Sequence, residues 1–227
     1  MENIIISEIN REEAFRYLSA GNIVPDNDMN ELADRCEKKL IGVIKPKYTY
    51  KIFPIEKISE NKTFIGNISA EIKSRDLAEL LEGCTHAVFM CATVGTDTDT
   101  LIRRLKVTDM ASAVMTDAMA SAAIEKVCAE FDELLAKKHP DKYITFRFSP
   151  GYGDLDLSFQ KTLLSVLDSR RQTGITLSPS LLMNPMKSVS GICGISDTPI
   201  AKKRSGCVCC NLKESCLYRK RGMRCGS

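Results

Sequence analysis

The chain has 227 residues, 44% of them apolar and 27% charged, with a formal net charge of +3 at pH 7. This composition is typical of a globular protein, and the length allows one large domain or two small ones. No apolar run approaches the roughly 18 residues that span a bilayer, which excludes a membrane-spanning protein. The N-terminus turns polar too early for a secretory signal, so we expect a cytoplasmic location.

Charge and cysteine are both concentrated at the C-terminal end. From Lys202 onward the chain has eight lysines or arginines and one glutamate, and five of its ten cysteines. We therefore predict one domain over residues 1–200 and a basic, cysteine-rich tail over residues 201–227. The other five cysteines are scattered, as is typical of small core residues in a reducing compartment.

The first elements have clear boundary signals. Asn10 is a typical N-cap residue, as is either Asp26 or Asp28, and the apolar spacing after them predicts helices over 10–21 and 26–43. Alternating aromatic and β-branched residues then predict a strand over 48–55. Residues 62–67 would be its hairpin partner.

The middle of the chain combines one apolar strand with a long helix. The continuous apolar run over 85–94 predicts a strand that is buried on both faces. A helix capped by Thr96 or Asp97 would follow it, and then an Ala-rich helix over 108–137. The apolar face of that long helix would contain Met110, Val114, Ile124, Val127 and Phe131.

The last third of the domain predicts a strand over 142–148, a helix over 157–170 and a strand over 188–196. Strands and helices occur without a regular βαβ rhythm. We therefore predict an α+β fold, with a mixed or antiparallel twisted sheet and flanking helices.

The end of the strand over 142–148 has the composition of a ligand site. Arg147 offers a rigid fork of donors for a carboxylate, and Pro150 restricts the backbone. Gly151 lets a ligand approach closely, and Tyr152 can stack on a flat group. These residues suit a small zwitterionic ligand, but they equally suit a salt-bridged arginine beside a tight turn.

A second stretch of the chain favours the ligand site. The two stretches together resemble the activation (reactivation) domain of cobalamin-dependent methionine synthase and its small stand-alone relatives. The R-x-x-x-G-Y pattern of that family falls on Arg147, Gly151 and Tyr152, and its T-G and L-x-x-S-x-x-M-x-P patterns fall on Thr173, Gly174, Leu177, Ser180, Met183 and Pro185. Its S-V-S-G pattern falls on Ser188, Val189, Ser190 and Gly191.

The resemblance implies a function. A domain of this family would bind S-adenosylmethionine, with Arg147 near the ligand carboxylate. Pro150, Gly151, Tyr152, Ser188, Val189, Ser190 and Gly191 would line the site. The partner would be a cobalamin-binding methionine synthase or another corrinoid protein on a separate chain. Its inactive cobalamin would receive an electron from a flavodoxin-like donor and a methyl group from S-adenosylmethionine.

Two departures from the family pattern leave an alternative open. Ser158 stands where the family usually has a histidine, and Ile192, Cys193 and Gly194 follow S-V-S-G where the family has aromatic residues. The alternative is a docking or assembly subunit that keeps the fold but does not bind S-adenosylmethionine.

The tail predicts a site of its own. Cys207, Cys210, Cys216 and Cys225 could ligate zinc or an iron–sulfur cluster, and a cluster would suit electron delivery. Redox-active thiols and an unstructured tail are the alternatives. A zinc-knuckle-like nucleic-acid-binding module is a further reading of this basic segment, but Tyr218 is its one aromatic residue and no histidine completes the knuckle.

Overall fold

The computed structural model describes residues 3–18, 25–59, 61–66, 68 and 71–200. The helices in this part of the chain are α1 (Arg11–Tyr17), α2 (Asn27–Ile41), α3 (Arg75–Leu81), α4 (Thr96–Thr108), α5 (Met110–Lys138), α6 (Phe159–Val166) and α7 (Ser169–Gln172). The strands are β1 (Lys47–Ser59), β2 (Lys62–Ile65), β3 (Glu71–Lys73), β4 (His86–Thr93), β5 (Tyr143–Ile144), β6 (Thr176–Leu177), β7 (Met183–Asn184) and β8 (Ser188–Ser196).

Six of these strands form one sheet in the order β3-β2-β1-β4-β8-β5, and β6 pairs with β7 in a small second sheet. Every described pairing is antiparallel. The predicted α+β class with an antiparallel sheet is therefore confirmed. The predicted hairpin is also present as β1 and β2.

The core lies on both sides of the sheet because β4 is apolar on both of its faces. Its residues Val88, Met90 and Ala92 point into a cluster covered by α1, α2, α4 and α5. Ala87, Phe89 and Cys91 point into a second cluster, covered mainly by α3 and α6. Such alternation is the geometry of any strand, and burial on both faces explains the unbroken apolar sequence of β4.

The N-caps of α1 and α2 are residues that the sequence predicts, whereas the N-cap of α4 is a different one. Asn10 and Asp26 cap α1 and α2 by accepting backbone N–H groups at 3.0 and 2.8 Å. The cap of α4 is Gly95, with φ 94°, and not Thr96 or Asp97. Gly95 is pressed against the carbonyl of Lys45, which a β-carbon would meet at 3.1 Å, and Asp97 pairs instead with the Lys45 ammonium. Only glycine suits this position.

The strand predicted over 142–148 is shorter than expected, since β5 ends at Ile144 and a single isolated bridge joins Phe148 to Ile192. The Thr145 hydroxyl accepts the N–H of Gly194 at 2.8 Å. That N–H is therefore taken by a side chain and not by a backbone carbonyl. The regular ladder is interrupted there, and Phe146 is left 53% exposed.

Cys36, Cys84, Cys91, Cys128 and Cys193 are all buried free thiols, as predicted for the scattered set. The predicted tail over residues 201–227, with Cys207, Cys210, Cys216 and Cys225, lies outside the described residues. No helix in the described part of the chain is both long and apolar enough to cross a membrane.

Candidate functional site

The two sequence motifs meet at one edge of the large sheet. Phe148 and Ile192 form the bridge that holds them in register. A β-carbon placed on Gly191 would lie 3.5 Å from the Cβ of Arg147 and 3.6 Å from the hydroxyl of Ser149. The absence of a side chain at Gly191 therefore lets the backbone of the S-V-S-G segment lie directly against Arg147.

The side chain of Arg147 points at α5. Its guanidinium forms an ion pair with Asp132 and donates to the backbone carbonyl of Cys128 at 3.0 Å. A second nitrogen lies 3.7 Å from a carboxylate oxygen of Glu125. Arg147 is thus a salt-bridged arginine beside a tight turn, and only 19% of its side chain is exposed.

The charged contact continues along α5. Lys187 donates to the Ser121 hydroxyl at 2.9 Å and pairs with Asp117 at 3.0 Å. The carboxylates of Asp117, Glu125 and Asp132 are each about half exposed. We call this set the α5 charged strip: Asp117, Ser121, Glu125, Asp132, Arg147 and Lys187. Three carboxylates and two cations make it acidic by one charge.

Burial affects the ionisation of the strip. It raises the pKa of Asp132, and the ion pair with Arg147 offsets only part of that rise. Loss of water favours the neutral form of a carboxyl group, whereas a neighbouring cation favours the charged form. The contact with Arg147 therefore opposes the effect of burial on the pKa of Asp132 without cancelling it.

The residues after Arg147 form a tight turn. The N–H of Tyr152 donates to the carbonyl of Ser149 at 3.0 Å, and the N–H of Gly151 donates to that of Leu155 at 2.8 Å. Gly151 has φ 89°, a conformation that favours glycine. Pro150 is buried beneath the turn, and Tyr152 stands out with 68% of its surface exposed.

Asp154 fixes this turn to α3. Its carboxylate accepts the Ser74 hydroxyl at 2.5 Å and the backbone N–H groups of Arg75 and Asp76 at 2.8 and 3.2 Å. Burial raises the pKa of Asp154, but these hydrogen bonds outweigh it and hold the pKa below its ordinary value. The position of Tyr152 is thus coupled to the start of a helix on the other side of the sheet.

The S-V-S-G segment divides between the two sides of β8. Val189 packs into the cluster covered by α5, on the same side as Lys187. The hydroxyl of Ser190 points to the other side and donates to Gln160 of α6 at 3.4 Å. The Ser188 hydroxyl donates to the Pro185 carbonyl at 2.7 Å. The structure therefore brings Gly191 against Arg147 and puts Val189 on the α5 side of β8, whereas the two serine hydroxyls are directed elsewhere.

The positions that depart from the family pattern also have defined places. Ile192 and Cys193 are 0% and 1% exposed, in the two opposite core clusters. They are core residues and do not reach the surface beside Arg147. Ser158 is exposed at the start of α6, and its N–H donates to Asp156 at 2.7 Å.

The α5 carboxylates were missed by the sequence analysis, although a signal existed. The polar residues Asp117, Ser121, Glu125 and Asp132 are spaced by four, four and seven positions along an otherwise Ala-rich helix. Residues at such spacing lie on one face of a helix. A polar stripe inside a largely buried helix indicates that charged partners lie opposite.

A shallow depression of about 360 Å³ lies elsewhere, on the side of the sheet covered by α6 and α7. It is lined by Lys161, Leu164, Ser165, Asp168, Ser169, Arg170, Ile175, Thr176 and Leu177. None of these residues belongs to the α5 charged strip. Within the described ranges, no group of His, Cys, Asp and Glu residues forms a metal site.

Comparison with known proteins identifies the family of the chain. The family model "Vitamin B12 dependent methionine synthase, activation domain" matches residues 83–199, just over half of the chain. The chain belongs to this family. The matched range contains α5, Arg147 and β8.

A solved structure is similar to this activation-domain protein. It is described as "Crystal Structure of the MetH Reactivation Domain bound to AdoHcy", and the TM-score is 0.55. The match covers 93% of this chain and 73% of that one, at 17% sequence identity. At this identity the likeness shows the fold. No curated protein sequence matches the chain.

Proposed function

We propose that this activation-domain protein binds S-adenosylmethionine at the α5 charged strip and supports the reductive methylation of a cobalamin carried on a separate chain. The observation that carries the proposal is the contact between Arg147 and Gly191, which joins both family motifs beside the carboxylates of α5. The solved reactivation domain with a similar fold is described as bound to AdoHcy, the demethylated form of the same ligand.

The charges of the strip suit this ligand. S-adenosylmethionine has one carboxylate, one ammonium and one sulfonium group, so it is a cation overall. The guanidinium of Arg147 can take the ligand carboxylate, and Glu125 and Asp132 can accept the ligand ammonium. The ligand would then replace the ion pairs of Arg147 with Asp132 and Glu125 by pairs of Arg147 with the ligand carboxylate and of these two α5 carboxylates with the ligand ammonium. A strip with one excess negative charge favours the cationic ligand.

The role of the chain in this proposal is binding and orientation. S-adenosylmethionine would supply the methyl group, and a flavodoxin-like donor the electron that the partner's cobalamin needs to accept it. The partner would be a cobalamin-binding methionine synthase or a related corrinoid protein, in the cytoplasm. Fixing the amino-acid end of the ligand on α5 would limit the orientations of its methyl group, which accelerates a transfer between two bound groups.

The predicted thiolates Cys207, Cys210, Cys216 and Cys225 belong to this proposal as a zinc or iron–sulfur site in the tail. Elemental analysis of the anaerobically purified full chain tests it. A preparation without stoichiometric zinc or iron would contradict it.

Calorimetry with S-adenosylmethionine on anaerobically purified protein tests the binding role. Arg147→Ala should weaken binding at least tenfold, about 1.4 kcal/mol, because a charged hydrogen-bonded contact is lost. Arg147→Lys should recover only part of the affinity, since an ammonium lacks the fork geometry. Arg170→Ala is the matched control, because Arg170 is exposed in α7 on the other side of the sheet. Its affinity should equal that of the wild type.

The existing hydrogen bonds of Arg147 favour a second function. One guanidinium nitrogen, Nη1, already donates to both Asp132 and the Cys128 carbonyl, and Ile192 and Cys193, which follow S-V-S-G, are core residues. A docking subunit without a ligand would look the same. If the wild type binds no S-adenosylmethionine, with or without its corrinoid partner, the binding proposal is wrong. Co-sedimentation with that partner in the absence of ligand would then support docking.

A further inference from the structure

The depression beside α6 and α7 lies outside the α5 charged strip, and the proposed function leaves it unused. Its volume of about 360 Å³ is within the range of small-molecule sites. Three elements contribute side chains to it, namely α6, α7 and β6. The depression is therefore a candidate site for a second ligand.

The lining of the depression is apolar at its base and charged at its margin. Leu164 and Ile175 belong to the core cluster on this side of the sheet, and Leu177 packs against that cluster. Lys161 and Arg170 are exposed. An apolar surface with a few polar groups at its edge is the usual composition of a site for a small organic molecule.

The two cations of the lining are free to bind an anion. Among the described residues, neither Lys161 nor Arg170 has an ion-pair partner. Asp168 is the carboxylate of the lining, and the Arg171 guanidinium already pairs with it at 2.6 Å. The negative charge of Asp168 is therefore compensated from outside the lining, and the positive charges of Lys161 and Arg170 are not.

The positive charge here contrasts with the domain as a whole. Residues 1–200 contain 24 lysines and arginines against 28 aspartates and glutamates, a formal net charge of −4. Lys51 adds a further cation at the end of α6, where its ammonium donates to the carbonyl of Val166 at 2.8 Å. A basic site on an acidic domain favours an anionic ligand.

We propose that this depression binds a small organic phosphate monoester. Such a group has close to two negative charges at neutral pH and three acceptor oxygens, which match the two free cations. The Ser165 hydroxyl lies one helical turn from Lys161 on the same face of α6 and can donate a further hydrogen bond. The organic part of the ligand would lie on Leu164 and Leu177. A carboxylate has one charge and would leave one cation uncompensated.

Calorimetry on the full chain tests the proposal with phenyl phosphate as the probe. Inorganic phosphate should bind more weakly, because it buries no apolar surface. Methyl phenyl phosphate should also bind more weakly, because a diester has a single negative charge. This second comparison separates a monoester from the diesters of nucleic acids and phospholipids.

Two single substitutions locate the binding. Lys161→Ala and Arg170→Ala should each weaken phenyl phosphate binding about fivefold, since solvent screens a charged contact at an exposed site. Both residues are exposed, so the circular dichroism of the variants should equal that of the wild type. Arg103→Ala is the matched control, because Arg103 is exposed on α4, which covers the opposite side of the sheet.

The outcomes are independent of the proposed function, because Arg147 lies on the α5 side. Arg147→Ala should bind phenyl phosphate as the wild type does, whereas Arg170→Ala should lose this binding and keep that of S-adenosylmethionine. If the wild type does not bind phenyl phosphate, or if Arg103→Ala weakens binding as much as Arg170→Ala, the proposal is wrong. Equal affinity for inorganic phosphate would overturn the assignment to an organic ligand.

An acidic protein is the other occupant that these cations could bind. Polyglutamate is the probe for it. Binding of polyglutamate that requires Lys161 and Arg170, without binding of phenyl phosphate, would replace the ligand site by a docking surface and overturn the proposal.

Discussion

The two sides of the β4–β8 pair are both covered by helices, but their contacts differ in kind. On the α5 side, Arg147 and Lys187 pair with carboxylates along one helix face. On the α6 side, Phe89 packs between Phe53 and Phe159, with ring centroids 5.3 and 6.0 Å apart. Both sides stabilise the fold by apolar burial, but the α5 side also presents charge that a ligand can use.

The contacts on the two sides also differ in their exposure to solvent. The α5 carboxylates are about half exposed, so their ion pairs contribute little to stability but remain accessible. Phe89 is 0% exposed, so its burial contributes in full. Mutations on the two sides should therefore change the free energy of unfolding by different amounts.

The largest expected effect on the free energy of unfolding is on the α6 side. Phe89→Ala should lower the free energy of unfolding by about 3–5 kcal/mol, because it removes a fully buried ring and leaves a cavity. Urea unfolding followed by circular dichroism measures it. Phe146→Ala is the control: Phe146 is 53% exposed, and its loss should change stability by less than about 0.5 kcal/mol. Equal effects from the two variants would contradict the contrast between the sides.

The elements could be predicted wherever local sequence decides the structure. The strand β4 follows from its unbroken apolar run, and α1 and α2 follow from their caps. The length of α5 was also predicted, and Ile124, Val127 and Phe131 of its predicted apolar face are buried, but the first part of that face was wrong. Met110 and Val114 are 60% and 50% exposed, because the first turns of α5 pack through Ser112, Ala113 and Met115 instead. Which residues are buried at the start of α5 depends on how α2 and α4 pack against it, and the sequence of α5 alone does not determine that packing.

The candidate site could be predicted only in part, for a similar reason. The adjacency of Arg147 and Gly191 was expected from the family motifs, since both occur in the right order. The ion pair with Asp132 depends on how α5 crosses the sheet edge, and no local pattern encodes that. The opposite directions of Val189 and Ser190 follow from strand alternation, but the register with Phe148 had to be known first.

A smaller effect is expected on the charged side. Asp132→Asn should lower the free energy of unfolding by about 1 kcal/mol, because the mostly buried Arg147 loses its charged partner while the half-exposed site keeps access to water. Chemical denaturation at neutral pH measures this loss. Glu133→Gln is the matched control on the next residue, since its pair with Lys137 is exposed. A loss of about 3 kcal/mol or more is expected for breaking a fully buried ion pair. Such a loss would show that the strip mainly stabilises the fold.

The smallest effect is expected for a substitution of Asp154. Its carboxylate holds the turn of Gly151 and Tyr152 against α3. Asp154→Asn should cost about 0.5–1 kcal/mol at pH 7, as for loss of a partly screened helix cap. The pKa of Asp154 is lower in the folded chain, so its contribution is complete above the unfolded pKa of about 3.9.

That contribution should disappear as the pH falls through the folded pKa, because both states are then protonated. The stability difference between the wild type and Asp154→Asn should thus be constant from about pH 5 to 7 and shrink in stronger acid. Asp141→Asn, at an exposed aspartate, should show no difference at any pH. A difference that persisted at about pH 2.5 would mean that hydrogen-bond geometry, and not the charge of Asp154, holds the turn of Gly151 and Tyr152 against α3.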